Sequence, residues 1–203
     1  MIADSSASED VSLLVTCHPN AKSLCGHISE RVIDALRARD ANVVVNDLYG
    51  TGFNPTPSAQ EFASYFDNEI PEDIRGFVND LRSARELIFV LPIWMFTLPA
   101  ILKGYFDRVW RPHVAFSFDG KDLKPLLANI ERLTVIATHG RNKTETDEAG
   151  DGSRVFFSSS LTTLLPNLNS NERFDFYALD QFDARTVELE LDKVLLHLSR
   201  HTA

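Results

Sequence analysis

Residues 87 to 91 read LIFVL, an uninterrupted apolar run of strand length. It passes through Pro92 and Pro99 into a helix-forming stretch that ends near Trp110. A run this short and this apolar is a strand buried in a sheet. Pro92 is expected to stop the strand, and Pro99 sits in a first helical turn, where an N–H would lack a partner anyway. A buried strand feeding a helix is half of a βαβ unit, so the rest of the chain is expected to repeat that alternation.

The alternation is present. Val11 to Cys17 reads as a first strand, and Ser23 to Arg39 as a helix with Leu24, Ile28, Val32, Ile33 and Leu36 on one face. Ala41 to Asp47 reads as a second strand. The right-handed crossover rule makes these strands parallel. Leu48 to Asp67 carries Gly, Pro and Ser and reads as a long connection. Glu72 to Arg85 reads as a helix into the third strand, with Pro99 to Val109 as the helix after it. Leu133 to Thr138 is expected as a fourth strand, Val155 to Leu165 as a helix, Arg173 to Leu179 as a fifth strand, and Thr186 to His201 as a closing amphipathic helix. No internal repeat is visible. The expectation is one domain over 1–203, an α/β doubly wound five-stranded parallel sheet in three α/β/α layers. Residues 1–10 are expected to form a flexible tail, and the polar stretch 141–153 a mobile loop or lid.

At 203 residues and 44% hydrophobic content the chain can bury a sizeable core. Cys17 and Cys25 suggest no disulfide framework, and the opening MIADSSASED is acidic and polar rather than a signal peptide, so a reducing cytoplasm is the default location. No apolar run reaches membrane-spanning length, so no membrane insertion is expected. A formal net charge of -9 argues against a nucleic-acid partner. No metal ligands are assigned.

Ligands of open α/β sheets bind at the carboxyl ends of the strands, which directs attention to three loops. Between Pro92 and Pro99 lie Ile93, Trp94, Met95, Phe96, Thr97 and Leu98, too apolar a set to face only water. They suit a wall for a flat aromatic cofactor; packing onto their own core is the alternative. After the first strand, Thr16 to Cys25 runs straight into a helix N-terminus, where free N–H groups and the helix dipole favour an anion. There Ser23 either caps the helix or binds phosphate, and His18 with Asn20 either shapes the turn or joins the site. Cys25 at a helix start could have a lowered pKa, although a small residue packed at the helix entry explains it as well. Thr138, His139, Gly140 and Arg141 follow the fourth strand.

Pro92-Ile93-Trp94-Met95-Phe96, followed by Leu98 through Val109, resembles the flavin-contacting segment of the NAD(P)H:quinone oxidoreductase (DT-diaphorase-like) family, a branch of the flavodoxin-like fold. The turn with His18 and Ser23-Leu24-Cys25 is similar to that family's His-x-x-x-x-Ser-Phe-Asn turn, with Cys25 where asparagine is common. The resemblance implies that His18 and the Ser23 to Cys25 backbone hold the flavin's phosphate or pyrophosphate. It also places Thr138, His139 and Gly140 at the family's Thr-Thr-Gly-Gly loop, where N–H groups face the flavin's N1/C2 side and Gly140 permits close approach.

The function this implies is two-electron hydride transfer from NAD(P)H through a flavin to a quinone or similar planar acceptor. FAD is favoured, with FMN as the alternative. No separate Gly-rich dinucleotide fingerprint is visible, so donor and acceptor are expected to share one place over the flavin, giving ping-pong kinetics. Trp94, Met95 and Phe96 are the candidate substrate-pocket walls. Two other readings stand beside this one: a flavin- or nucleotide-binding regulatory subunit of a membrane transporter, and a one-electron flavodoxin-like carrier. A homodimer is expected through the Trp94 to Phe106 region and the Gly52 to Phe66 connection, with Phe53, Phe62, Tyr65 and Phe66 as apolar material. The Tyr/His pair that the resemblance leads one to expect falls near Glu145 and Asp151, where neither residue type occurs. His139 is the one nearby histidine that could replace it.

Overall fold

The computed structural model describes residues 10–178 and 184–200. The element order is β1 (Val11–Thr16), α1 (Leu24–Ala38), β2 (Asn42–Asp47), α2 (Ala59–Ala63), a 3-10 turn (Glu72–Ile74) leading into α3 (Arg75–Ser83), β3 (Ala84–Ile93) and α4 (Ala100–Val109). There follow β4 (Phe116–Asp119), β5 (Asp122–Pro125), β6 (Arg132–His139), α5 (Lys143–Ala149), α6 (Gly152–Val155), a π turn and a 3-10 turn through Leu164, β7 (Ser170–Phe176) and α7 (Ala184–Ser199).

Five parallel strands lie in the order β2-β1-β3-β6-β7, so the expected five-stranded doubly wound α/β sheet forms. Alternate residues of each strand point to opposite faces, and both faces are covered. Leu13, Leu87, Phe89, Leu133 and Val135 pack with Val78 and Leu81 of α3 and Leu102 and Tyr105 of α4. Leu14, Ile88, Val90 and Ile136 pack with Ile28, Val32 and Leu36 of α1 and Leu191 and Val194 of α7. The chain leaves β1 toward β2 on one side, then crosses to β3 on the other. The loops after β1 and β3 therefore part at the point where such sheets open a crevice, with the loop after β6 next in line.

Several expectations need correction. Pro92 does not end its strand: β3 runs on through Ile93, with Pro92 opposite Thr138 of β6. β1 pairs only as far as Thr16 opposite Val90, so from Leu91 onward β3 has one neighbour, and a residue without an N–H is tolerated as it is at a sheet edge. The helix expected over 72–85 stops at Ser83, and Ala84 and Arg85 already belong to β3. The fifth strand begins three positions earlier than expected, at Ser170, and ends at Phe176; Leu179 lies outside the described residues, as do residues 1–9 of the expected tail and His201 of the last helix. The polar stretch 141–153 contains α5, capped by Asn142 Oδ1 on the Glu145 N–H at 2.9 Å, and the start of α6, capped by Asp151. Its polarity is that of an exposed helix. The connection 48–67 holds the short α2, and an antiparallel hairpin of β4 and β5 lies where no strand was expected.

A buried charge cluster fixes the 48–67 connection to the domain. Arg108 of α4 donates from Nε to both carboxylate oxygens of Glu61 at 3.0 and 3.1 Å, and from Nη1 to the Asn54 carbonyl at 2.7 Å. Phe53 packs edge-on against Phe77 and Tyr105, so this aromatic fills its own core instead of an intersubunit surface. Phe62 and Phe66 are 74% and 67% exposed.

Candidate active site

The turn after β1 is built by local hydrogen bonds. The Asn20 N–H donates to His18 Nδ1 (3.0 Å), the Lys22 N–H to Asn20 Oδ1 (2.9 Å), and the Ser23 N–H to the Asn20 carbonyl (3.0 Å). Ser23 Oγ then accepts the Gly26 N–H at 3.2 Å and caps α1. His18 and Asn20 thus shape the turn, and Ser23 caps, keeping its hydroxyl proton available for an anion. The N–H groups of Leu24 and Cys25, first in the 15-residue α1, have no hydrogen-bond partner among the described residues. Two free donors at the positive end of a helix dipole are what a phosphate requires. Gly26 sets the shape of this turn, because a Cβ there would lie 1.9 Å from the Ala21 carbonyl oxygen.

Cys25 is buried at the start of α1. Its Sγ is buried, 3.3 Å from Thr138 Oγ1, and burial pushes its thiol up to about 11 against a smaller opposing effect of the Thr138 contact. Burial likewise raises Cys17 well above its ordinary value, helped by Cys25 and Asp47. Packing at the helix entry, not a lowered pKa, is the role the structure gives Cys25, and the contact ties the first loop to β6.

The second loop is a tight reversal. The Trp94 and Thr97 backbones exchange hydrogen bonds at 3.2 and 3.1 Å, and between them Met95 (φ 48°) and Phe96 (φ 59°) both adopt the left-handed conformation. Such a turn normally recruits Asn-Gly, and each L side chain here costs on the order of 1–2 kcal/mol. The strain presents Met95, 88% exposed, and leaves Phe96 half-buried under the Arg141 guanidinium, 5.9 Å from its ring centroid. Trp94, 41% exposed, meets His18 edge-on at 5.9 Å, joining the first and second loops. The Gly152 N–H of α6 donates to the Phe96 carbonyl at 2.9 Å and holds the turn from behind.

We expect the double substitution Met95→Asn, Phe96→Gly to stabilise the fold by about 1–2 kcal/mol, because the relieved strain exceeds a lost cation–π contact of about 0.5–1 kcal/mol. Thermal unfolding should then move up by a few degrees, roughly 2–4 °C per kcal/mol for a domain of this size. A lower melting temperature would mean that the two side chains earn their conformation through packing.

Between the second and third loops lies a cleft of about 360 Å³, lined by Ile93, Met95 and Phe96 on one side and His139, Gly140, Arg141 and Thr146 on the other. The expected residues after β3 and β6 thus converge, except that Pro92 and Thr138 lie buried in the strands behind the cleft, and Leu24 packs on the α1 face of the core. Trp94 stands at the first loop and not among the cleft-lining residues.

His139 is only 2% exposed, and it has partners that sequence reasoning did not find. Nε2 lies 2.8 Å from Asp175 Oδ1 at the end of β7, and Tyr177 stacks on the ring at 4.5 Å and 25°. Asp175 also accepts from Arg173 Nε (2.9 Å) and Arg154 Nη2 (2.7 Å), and Arg154 donates to the Tyr177 hydroxyl. Asp151 binds Arg173 Nη2 at 2.9 Å and accepts from both the N–H and hydroxyl of Ser153. Burial alone would raise the Asp175 carboxyl; the His139 hydrogen bond, then Arg173 and Arg154, outweigh it and hold the group below the ordinary carboxylate range. His139, Asp151 and Asp175 come close enough for one metal ion, but the two guanidiniums already supply the cations for these carboxylates. An acidic residue at the carboxyl end of the fifth strand was the available signal for this cluster. Its pairing across the sheet was not.

Comparison with known proteins agrees with this geometry. Residues 12–188 match the family model described as flavodoxin-like fold. The Escherichia coli (strain K12) protein named uncharacterized NAD(P)H oxidoreductase YcaK is 34% identical over 112 residues, 54% of this chain and 57% of that protein, so the match spans little more than half of its length. The uncharacterized NAD(P)H oxidoreductase of Haemophilus influenzae is 32% identical over 139 residues, 68% of each chain. Among solved structures, the NAD(P)H:quinone oxidoreductase from Methanothermobacter marburgensis superposes with a TM-score of 0.80 at 22% identity, over 94% of this chain and 98% of that one. An FMN-dependent NADH-azoreductase from Bacillus anthracis str. Ames Ancestor, in complex with FMN, gives 0.76 at 16% identity, over 96% and 100%. With a five-stranded parallel sheet, a helix N-terminus open to an anion and an apolar cleft at the strand ends, the chain belongs to the flavodoxin-like fold family and, within it, to the NAD(P)H oxidoreductases.

Proposed function

We propose that the protein is a flavin-dependent NAD(P)H:quinone oxidoreductase that passes two electrons to a quinone or similar planar acceptor. The observation that carries this is the cleft at the strand ends, lined by Ile93, Met95 and Phe96 on one side and by His139, Gly140, Arg141 and Thr146 on the other, on the same carboxyl edge of the sheet as the N–H groups of Leu24 and Cys25, which have no hydrogen-bond partner among the described residues. Those N–H groups and the Ser23 hydroxyl would hold the flavin phosphate. Ile93 and Phe96 would flank the ring, while the exposed Gly140 allows close backbone approach. When bound, the flavin supplies the hydride acceptor and donor that no side chain here can provide. Met95 and Phe96 then shield the reacting face from water and orient a flat acceptor over it. Because one cleft serves donor and acceptor in turn, we expect ping-pong kinetics. The sequence favours FAD; the azoreductase neighbour binds FMN, and chromatography of the released cofactor distinguishes them. The assay is oxidation of NADH or NADPH coupled to a benzoquinone.

The active species in this proposal is a homodimer. Phe62 and Phe66 stand exposed on the connection that Arg108 and Glu61 hold in place, and exposed aromatics of this size on a fixed segment favour a partner surface. Sedimentation at micromolar concentration is expected to give the dimer mass. A fully active monomer would contradict it. Among the described residues no helix is long and apolar enough to cross a membrane.

A further inference from the structure

The least explained group in the protein is the imidazole of His139. Its Nε2 is engaged by Asp175 and its face by Tyr177, yet Nδ1 has no hydrogen-bond partner among the described residues. The little surface the residue keeps lines the cleft. Asp175 in turn is fixed from two sides by Arg173 and Arg154, and Arg154 also fixes the Tyr177 hydroxyl. A cluster that serves only to pack β7 against α6 has no need of an imidazole with one nitrogen left open.

We propose that His139 is the proton donor to the acceptor bound in the cleft, and that Asp175 is the positioning residue that keeps the transferable proton on Nδ1. This rests on the oxidoreductase reading above. A carboxylate on Nε2 holds a proton at that nitrogen throughout, so the second proton of the imidazolium can reside only on Nδ1. A quinone that has taken a hydride, two electrons and one proton, is left as the hydroquinone monoanion. The Nδ1–H bond breaks, the O–H bond of the hydroquinone forms directly or through one water, and His139 is left neutral. Water at the open mouth of the cleft returns the proton to Nδ1, and the balance closes with one hydride and one proton consumed per quinone.

Charge around the ring suits this cycle. The ionisable groups facing it are Asp175 and Arg173 on β7, Tyr177 just beyond, Arg154 and Asp151 on α6, and Arg141 at the mouth. Buried Asp151 and partly buried Asp175 balance Arg154 and Arg173, so the imidazole is not the sole cation facing these carboxylates. Arg141 sits over Phe96 and pairs with Glu145 at 3.6 Å.

The test separates this step from the reading beneath it. In flavin-loaded protein, His139→Gln should slow reoxidation by a benzoquinone by about 10²-fold at neutral pH and flatten its pH profile, a typical loss for a general acid. Reduction by NAD(P)H should change less than about threefold. Nitrogen-15 NMR of the His-labelled chain without cofactor provides a readout independent of turnover. The neutral ring of His139 should be the Nε2–H tautomer in the wild type and a mixture in Asp175→Asn. Unchanged quinone reoxidation in His139→Gln, or equal slowing of both half-reactions, would overturn the proposal, as would a wild-type Nδ1–H tautomer. Failure of the wild type to take up flavin would instead bring down the oxidoreductase reading.

Discussion

Replacing Gly26 with alanine is expected to destabilise the protein and release its cofactor, although helix propensity alone predicts a gain. Gly26 lies inside α1, where alanine is favoured over glycine by about 1 kcal/mol. The added Cβ would stand 1.9 Å from the Ala21 carbonyl oxygen, and a backbone oxygen cannot rotate away as a side chain can. Either the segment 20–23 moves or the first turn of α1 does, and overpacking of this kind costs about 1–3 kcal/mol, a net loss of up to about 2 kcal/mol after the propensity gain. Both outcomes misplace the Leu24 and Cys25 N–H groups. Losing two hydrogen bonds to a charged phosphate, each worth about 1.5–3 kcal/mol, should weaken flavin binding by on the order of 10²-fold or more. Titration of the apoprotein with FAD and FMN, with thermal unfolding on the same samples, checks both halves. A variant that melts higher and binds flavin as tightly as the wild type would show that this turn does not shape the site.

The second large effect is expected at Glu61. Its carboxylate is buried, held in both oxygens by Arg108 Nε and lying 3.9 Å from Arg111 Nη1. Glu61→Ala leaves two buried guanidiniums with less than their share of negative charge; Arg108 keeps only Asp73, more than half exposed, as its anionic partner. Breaking one partner out of a buried pair costs about 3–5 kcal/mol. Denaturant unfolding should show the midpoint falling by that amount divided by the slope. The connection bearing Phe62 and Phe66 is anchored by the same carboxylate, so the proposed dimer should weaken in parallel. A loss below about 1 kcal/mol would mean that water already reaches the pair.

How much of this was legible in the chain depends on the range of the interactions involved. LIFVL at 87–91 identified a central strand because a strand covered on both faces leaves no polar alternation. The carboxyl-end loops followed from topology, as did the open helix terminus at Ser23. Pro92 misled because a proline stops a strand only where both edges are paired, and sequence does not say where β1 ends. The β4–β5 hairpin carried a visible turn signal at Asp119-Gly120, with Gly120 at φ 63°, but its strands are four residues each and half-exposed, below what alternation can mark. Helix α5 was hidden by its polarity, although its i,i+4 pairs, Arg141–Glu145 and Lys143–Asp147, are written in the sequence. The His139–Asp175 contact was not legible. It joins residues 36 apart through strand register: the β6–β7 pairing sets Asp175 opposite Ala137, two residues before His139 and on the same face of the sheet.

The central claim is that the three loops form a flavin site, and the visible spectrum of the protein tests it most directly. Purified protein, or apoprotein mixed with FAD or FMN and freed of excess by gel filtration, should show the flavin absorption bands with one flavin per chain, and the bands should bleach on anaerobic addition of NADH or NADPH. Colourless protein that retains neither flavin after reconstitution would contradict the account.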